Sequence, residues 1–277
     1  MITGETKLIA HVGYPTSTFK SPMIYNPWFE RRGVNAVVMP LGVRSQDFAS
    51  AFPQISRFTN FHGALITMPH KVAVMAMLDE VSKAVNVAGS CNAVKRGEDG
   101  RLIGDMFDGE GFVRGVARNG GSIAGNRVLV VGSGGVGSAI AASCAAAGAE
   151  EIALYDVHAA SAEALADRLR QNYPKLKVTT GSNDPAGFGL VVNATPLGMK
   201  PGDQMPMDVS RLSPSTFVGE VVLKAETTAF LAAAKARGCP TQVGVDMLFE
   251  QIPAYLEFFG FPQTTADELR ALAQIKY

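Results

Sequence analysis

Residues 128–141 read VLVVGSGGVGSAIA, an apolar run, a glycine loop and then a helix-forming run. The glycines fall as Gly132-x-Gly134-x-x-Gly137, with Gly135 adding room inside the loop. In this context each glycine has a task. The first permits the tight turn, the second lets a pyrophosphate approach the backbone, and the third lets helix and strand pack closely. The helix N-terminus then offers free N–H groups and positive partial charge to phosphate. The alternative is a tight turn that binds nothing. The next strand-like run, EIALY (151–155), ends in Asp156. An acid about 20 residues past the glycines meets the adenosine ribose hydroxyls in a dinucleotide fold. Gly132, Gly134, Gly135, Val136, Gly137 and Asp156 are therefore the candidate dinucleotide residues. A carboxylate at this strand end favours a free 2′-hydroxyl and repels a 2′-phosphate. After Asp156 comes VHAASAEALADRL, with no Lys or Arg before Arg168. NAD is expected over NADP. The bland reading of Asp156 is a cap for the following helix.

Strand-like runs separated by helix-length stretches extend in both directions. KLIAHVGYP (7–15), VNAVVMPLGV (34–43) and GALITMP (63–69) come before the loop; KVTTG, LVVNATPLG, FVGEVVL and PTQVGV come after it. This rhythm predicts an α/β chain built from βαβ units around buried sheets. KVAVMAMLDEVSKAV (71–85) reads as a helix, and SCNAVKRGEDGRLIGDMFD (90–108) as two short strands joined by a Gly/Asp turn. GEGFVRGVARNGG (109–121) reads as a helix ending at a glycine pair, and Thr264 or Thr265 as the cap of a last helix.

With 277 residues, 47% hydrophobic and 18% charged, the chain has material for two well-filled domains. Lys+Arg and Asp+Glu are both 25 and interspersed, so no attraction to nucleic acid or membrane is expected. Cys91, Cys144 and Cys239 are far apart and odd in number, which gives no disulfide framework and fits a cytoplasmic protein. His11, His62, His70 and His158 lack metal-ligand spacing. No secretory signal is read at the N-terminus, and the longest apolar window, SAIAASCAAAGA (138–149), is too short for a membrane span.

A second set of polar residues ends strands. Lys71 follows ALITMP, Asn92 lies in SCNAV and Asp108 ends GDMFD. Oxidising a secondary alcohol sends hydride to a nicotinamide and needs a base for the hydroxyl proton; the reverse needs an acid. A Lys/Asp pair can serve both directions, and which member holds the proton belongs to the pair. Singly, Lys71 reads as a surface lysine, Asp108 as a helix cap and Asn92 as a turn former.

VGYPTSTFKSPMIYN (12–26), LITMPHK (65–71), GSCNAV (89–94), GDMFDGEGF (104–112), the glycine loop, NATPLGM (193–199), EVVLKAETTAFLAAAKARG (220–238) and GVDMLFEQ (244–251) follow one another. Together they resemble the shikimate/quinate dehydrogenase family along nearly the whole chain. The resemblance implies a substrate domain over 1–115 completed by the C-terminal helices of 246–277, a Rossmann-like NAD(P)-binding domain over 116–245, and an active site in the cleft between them. It implies Lys71 and Asp108 as the catalytic pair. Thr67, Asn92 and Gln251 would hold substrate hydroxyls, Asn193, Thr195 and Met199 would line the cofactor side, and Gly244 and Met247 would lie near the nicotinamide. The implied partners are a small-molecule substrate and, at most, a second copy of the chain.

The departures gather at one end of the substrate. In the family's H-S-x-S-P segment, whose two serines hold the substrate carboxylate, Thr18 and Phe19 stand at the His and first Ser, while Ser21 is kept. Leu223 replaces a Tyr that the family directs at the same carboxylate, Leu65 replaces the Asn of N-V-T, and Met106–Phe107 replace Asn-Thr. Lost hydrogen bonds to a carboxylate cost about 1–3 kcal/mol each, so two would weaken shikimate or quinate very roughly 10²–10⁴-fold unless Lys20 or Lys224 compensates. Three readings follow: a dehydrogenase of a less polar secondary alcohol on a cyclic substrate, a true shikimate or quinate dehydrogenase with a rebuilt carboxylate site, and a non-catalytic NAD-binding sensor. Retention of both Lys71 and Asp108 argues against the third.

Overall fold

The computed structural model describes residues 2–200, 202–223 and 227–275. Two compact units form. The first comprises the chain up to Asn86, Ser90–Phe107 and everything from Ile252 onward; the second comprises Val87–Gly89 and Asp108–Gln251.

The first unit holds a six-stranded sheet of β1 (Lys7–Gly13), β2 (Ala36–Gly42), β3 (Phe61–Ile66), β4 (Glu80–Val81), β5 (Ala93–Arg96) and β6 (Leu102–Asp105), in the order β2-β1-β3-β5-β6-β4. β1 runs parallel to both neighbours, and β5 is antiparallel to β3 and β6. Every residue of β1 after Lys7 is buried, as expected for a strand covered on both faces. Helix α1 (Pro22–Arg32) starts with proline in its first turn and stops at Gly33, whose φ of 65° closes the last turn. It buries Ile24, Tyr25, Trp28 and Phe29. The remaining helices here are α2 (Phe48–Ile55), α3 (Lys83–Ala88, running into the second unit), the end of α8 (Gly244–Phe258) and α9 (Ala266–Leu272). α9 belongs with α1: Arg32 forks onto the Glu268 carboxylate at 2.7 and 2.6 Å, and Gln274 N–H donates to the Met23 carbonyl. Thr265 caps α9, its hydroxyl accepting from Glu268 N–H.

The helix expected over 71–85 does not form. A short 3-10 turn (Ala73–Met77) leads into β4, which pairs with β6. Asp79 explains why. Its N–H donates to the Leu102 carbonyl, and its carboxylate accepts from Leu102 N–H at 2.8 Å. Leu78 lies over Gly104, where no Cβ would fit. This tertiary ladder overrides the local helical pattern.

The second unit holds α4 (Asp108–Arg118), β7 (Arg127–Val131), α5 (Gly135–Ala146), β8 (Glu151–Tyr155), α6 (Ala159–Asn172), β9 (Lys177–Thr180), β10 (Leu190–Asn193), β11 (Phe217–Glu220), α7 (Ala229–Ala236), β12 (Thr241–Gln242) and the first part of α8 (Gly244–Phe258). Its sheet is parallel throughout, in the order β12-β11-β10-β7-β8-β9. Counted from β7 this is the doubly wound 3-2-1-4-5-6 arrangement. Val128 and Val130 feed the core on one face, Leu129 and Val131 the core on the other. The units part at 107/108 and 251/252, whereas the sequence expectation placed the division at 115/116 and 245/246. The reason is the glycine face of α4. Gly109 lies against Ala139 and Ser143 of α5, Gly111 against Met247 and Gln251 of α8, and Gly115 against Gln242, each too close for a Cβ.

Candidate active site

The strand order reverses between β7 and β10, so the loops after these strands flank one crevice, where doubly wound sheets bind their ligands. The glycine loop leaves β7 there. Gly132 has φ +104°, and a Cβ on it would meet the Ala194 backbone; one on Gly137 would overlap the Gly132 carbonyl. Both glycines are required by the loop itself. Gly134 is different. Its φ of −72° suits any residue, it is exposed, and a Cβ there would meet nothing within 4 Å. Nothing inside the chain requires it to be bare, whereas a pyrophosphate laid on the backbone would. Gly135 and Val136, half-buried, open α5. The residues present fit a dinucleotide.

Asp156 ends β8 and accepts hydrogen bonds from Ser133 N–H (2.7 Å) and His158 N–H (2.8 Å). It ties the glycine loop to the turn before α6, and so it braces the loop. Arg168, the first cation after it, donates to the carbonyls of Val87, Ala88 and Ala164. On the β10 side, Asn193 is fully buried, its Oδ1 accepting from Thr195 N–H and Oγ1–H while its Nδ2 donates to the Leu197 carbonyl. Met199 lies beyond, exposed. Gly244 packs on the Val221–Val222 backbone, and Met247 is buried in the core that contains Phe112 and Ile140.

The first unit carries the other group of expected residues. Gly13 lets the end of β1 lie against Thr67: Thr67 N–H donates to the Val12 carbonyl and Tyr14 N–H to the Met68 carbonyl, both at 3.0 Å. His70 is a structural pin, stacked 4.0 Å from Phe48 with Nε2 2.7 Å from the Val43 carbonyl. Lys71 follows it, half-buried, its carbonyl accepting from Cys91 N–H. Asn92 is fully buried. Its Oδ1 accepts from Phe107 N–H at 2.9 Å, which turns Nδ2 the other way, buried and without a partner. The same bond fixes the chain one residue before Asp108, which is buried at the first turn of α4. Lys71, Thr67 and Asn92 thus belong to the first unit, and Asp108 and Gln251 to the second. Gln251 Oε1 is also buried and unpartnered.

Two residues were missed in the sequence. Glu220, at the end of β11, is buried; burial pushes its carboxyl up to about 7 against hydrogen bonds from Thr228 and Asn193. His11, inside β1, is 6% exposed, with Nδ1 unpartnered. Burial, with Lys71 nearby, pushes it down to about 3. The only signal was a histidine within the apolar run LIAHV and a glutamate within FVGEVV.

The profile of the shikimate dehydrogenase substrate binding domain matches residues 12–94. The shikimate dehydrogenase (NADP(+)) of Acidiphilium cryptum is 32% identical over 277 residues, covering 99% of this chain and 98% of its own. The chain belongs to the shikimate dehydrogenase family. It is an NAD(P)-dependent oxidoreductase acting on a CH–OH group. The crystal structure of shikimate 5-dehydrogenase from Listeria monocytogenes, in complex with shikimate and NAD, superposes with a TM-score of 0.89 at 26% identity, covering 98% of this chain and 97% of that one. The 5-ketofructose reductase of a Gluconobacter strain does so at 0.85 and 28% identity, covering 98% and 99%.

Within this family fold, the departures read from sequence form two apolar clusters in the first unit. Phe19 stacks on His11 with ring centroids 4.0 Å apart. Leu65, 4% exposed, is the β3 register partner of His11. Phe107 packs on Tyr255 and Phe258 at 4.8 and 5.6 Å, beside buried Met106. Ser21, half-buried, precedes α1; Lys20 is half-buried with a partner of its own; Leu223 is half-buried; Lys224 lies outside the described residues. Among the described residues no helix is long and apolar enough to cross a membrane.

Proposed function

We propose that the protein interconverts a secondary alcohol and a ketone on a cyclic substrate without shikimate's carboxylate, using NAD in preference to NADP. The observation that carries this reading is the Phe19–His11 stack. A phenyl ring, stacked on a buried imidazole, stands at the residue where the family pattern has a serine, while Lys71, Thr67, Asn92 and Asp108 are all retained. The 5-ketofructose reductase supports it, since that relative's name specifies a keto sugar, which has no carboxylate.

A nicotinamide cofactor, when bound, would supply or take the hydride. The chain's residues handle the rest. Asn92 Nδ2 holds a substrate hydroxyl, which relieves a buried unpaired donor. The Lys71/Asp108 pair takes the hydroxyl proton from the substrate as the carbonyl forms and returns it to the oxygen on reduction. Supporting NAD, Asp156 follows β8 as the acid of the dinucleotide pattern does, and Arg168, the first cation after it, is committed to backbone carbonyls.

Initial rates at 340 nm with NAD and NADP, against shikimate, quinate and a panel of cyclic alcohols, test this reading. Turnover in the panel with NAD, and weak turnover of the two acids, is the expected result. Lys71→Ala then lowers kcat by roughly 10²–10⁴-fold and leaves NADH binding unchanged. A substitution that alters only ligand affinity, with no hydride transfer by the parent enzyme, would indicate a sensor. Efficient use of shikimate or quinate would establish the second reading, which the names of the relatives favour. Efficient use of NADP would overturn the cofactor assignment.

A further inference from the structure

We infer that His11 is a specificity residue that offers a buried imidazole nitrogen to a hydroxyl of the substrate. This rests on the proposed reading of the β1–β3 strand ends as the substrate site.

Three observations converge on it. The first is place. His11 and Leu65 are register partners on parallel strands, so His11 and Gly13 share a sheet face with Leu65 and Thr67. A Cβ on Gly13 would meet both Thr67 and the Phe19 ring, so Phe19 covers this face too. The family pattern has an amide at position 65; here the polar group stands one strand over, on β1.

The second is the unsatisfied nitrogen. His11 is 6% exposed, and Nδ1 is buried with no partner. Its strand neighbours Ile9, Ala10 and Val12 are all buried and apolar, so a packing role alone would be filled better by Phe, which would keep the stack on Phe19. A buried nitrogen left unpaired is costly unless a ligand pairs it.

The third is charge. Burial and Lys71 hold the imidazole neutral. A neutral imidazole has one N–H and one bare nitrogen, and a hydroxyl, both donor and acceptor, can pair with either. A carboxylate accepts only, and it meets no positive charge on this ring. The residue thus selects hydroxyl over carboxylate.

The test compares shikimate with its hydroxymethyl analogue, in which –COO⁻ becomes –CH2OH, using the parent enzyme, His11→Phe and His11→Asn. The parent enzyme should prefer the hydroxymethyl compound. His11→Phe should raise KM for that compound on the order of 10-fold with kcat and cofactor KM little changed, and erase the preference; His11→Asn should restore part of it. An unchanged KM in His11→Phe, or an equal loss on both compounds, overturns the inference. If the parent enzyme turns over neither compound, the proposed function fails separately. Calorimetric binding of the same two compounds then decides on His11, and identical affinities for parent and variant overturn it. If His11→Phe does not fold, His11→Asn carries the comparison, with weaker discrimination expected and unchanged discrimination decisive against the inference.

Discussion

The loop after β7 and the loop after β1 both leave an interior parallel strand of their sheet, yet they are built on opposite principles. After β7 every residue is small, and the chain presents bare backbone at Gly134. After β1 the chain presents side chains: Tyr14, half exposed, then Phe19 laid over His11. A backbone site can only recognise what all its ligands share, such as a pyrophosphate. A side-chain site can be rewritten one residue at a time. The difference accounts for a chain that keeps its family's glycine pattern intact and departs from it at Phe19, Leu65 and Leu223.

The strongest way to break that contrast lies inside the glycine loop. Gly132→Ala forces a Cβ into a left-handed backbone and against Ala194, so dinucleotide binding should fall at least about 100-fold and stability with it, costs of order 1–3 kcal/mol arising from the strain alone. Gly134→Ala should leave Tm unchanged, since its backbone is ordinary and its surroundings open, and yet weaken NADH binding on the order of 10-fold. Fluorescence titration and thermal melts on the two variants separate the roles. If Gly134→Ala binds NADH normally, nothing lies over that glycine.

A smaller effect separates the two units by pH. Glu220 in the second has its carboxyl raised from 4.5 to about 7 by burial, so folding takes up a proton between those values and stability falls as pH rises through them. His11 in the first is lowered from 6.5 to about 3, so stability falls instead as pH drops below 6.5. Glu220→Gln should therefore raise Tm at pH 8 and make no difference near pH 4.5, whereas His11→Phe should gain on the parent as the solution is acidified. Melting curves from pH 4.5 to 8 show either slope, and parallel curves would remove these groups from the pH response.

The smallest change should touch neither loop. Thr265→Ala removes the hydroxyl that caps α9 and should cost about 1 kcal/mol of stability, with KM and kcat unaltered. A kinetic change would mean that α9 bears on the substrate end.

Legibility in the sequence followed the same division. The glycine loop, the βα rhythm, the hairpin of β5 and β6 and the Thr265 cap could be read because each depends on neighbours in the chain. The 71–85 segment could not. Its helical spacing yields to Asp79 and Leu78, whose partners Leu102 and Gly104 lie more than 20 residues away. His11 was read only as a histidine without metal spacing, because its meaning depends on Phe19 and on a strand register that no local pattern displays.

The glycine face of α4 carries a consequence for evolution. Gly109 and Gly111 face backbone carbonyls of α5 and α8 across the space a methyl group would need, so a replacement at either forces a helix to shift, while at Gly115 the Gln242 side chain must give way. The residues just after Asp108 are frozen, and new activities must be explored elsewhere. The turn at Ser17 and Thr18 is exposed and leads directly into Phe19. A library varied there would return mostly folded proteins with different appetites; one varied along α4 would return mostly the parent.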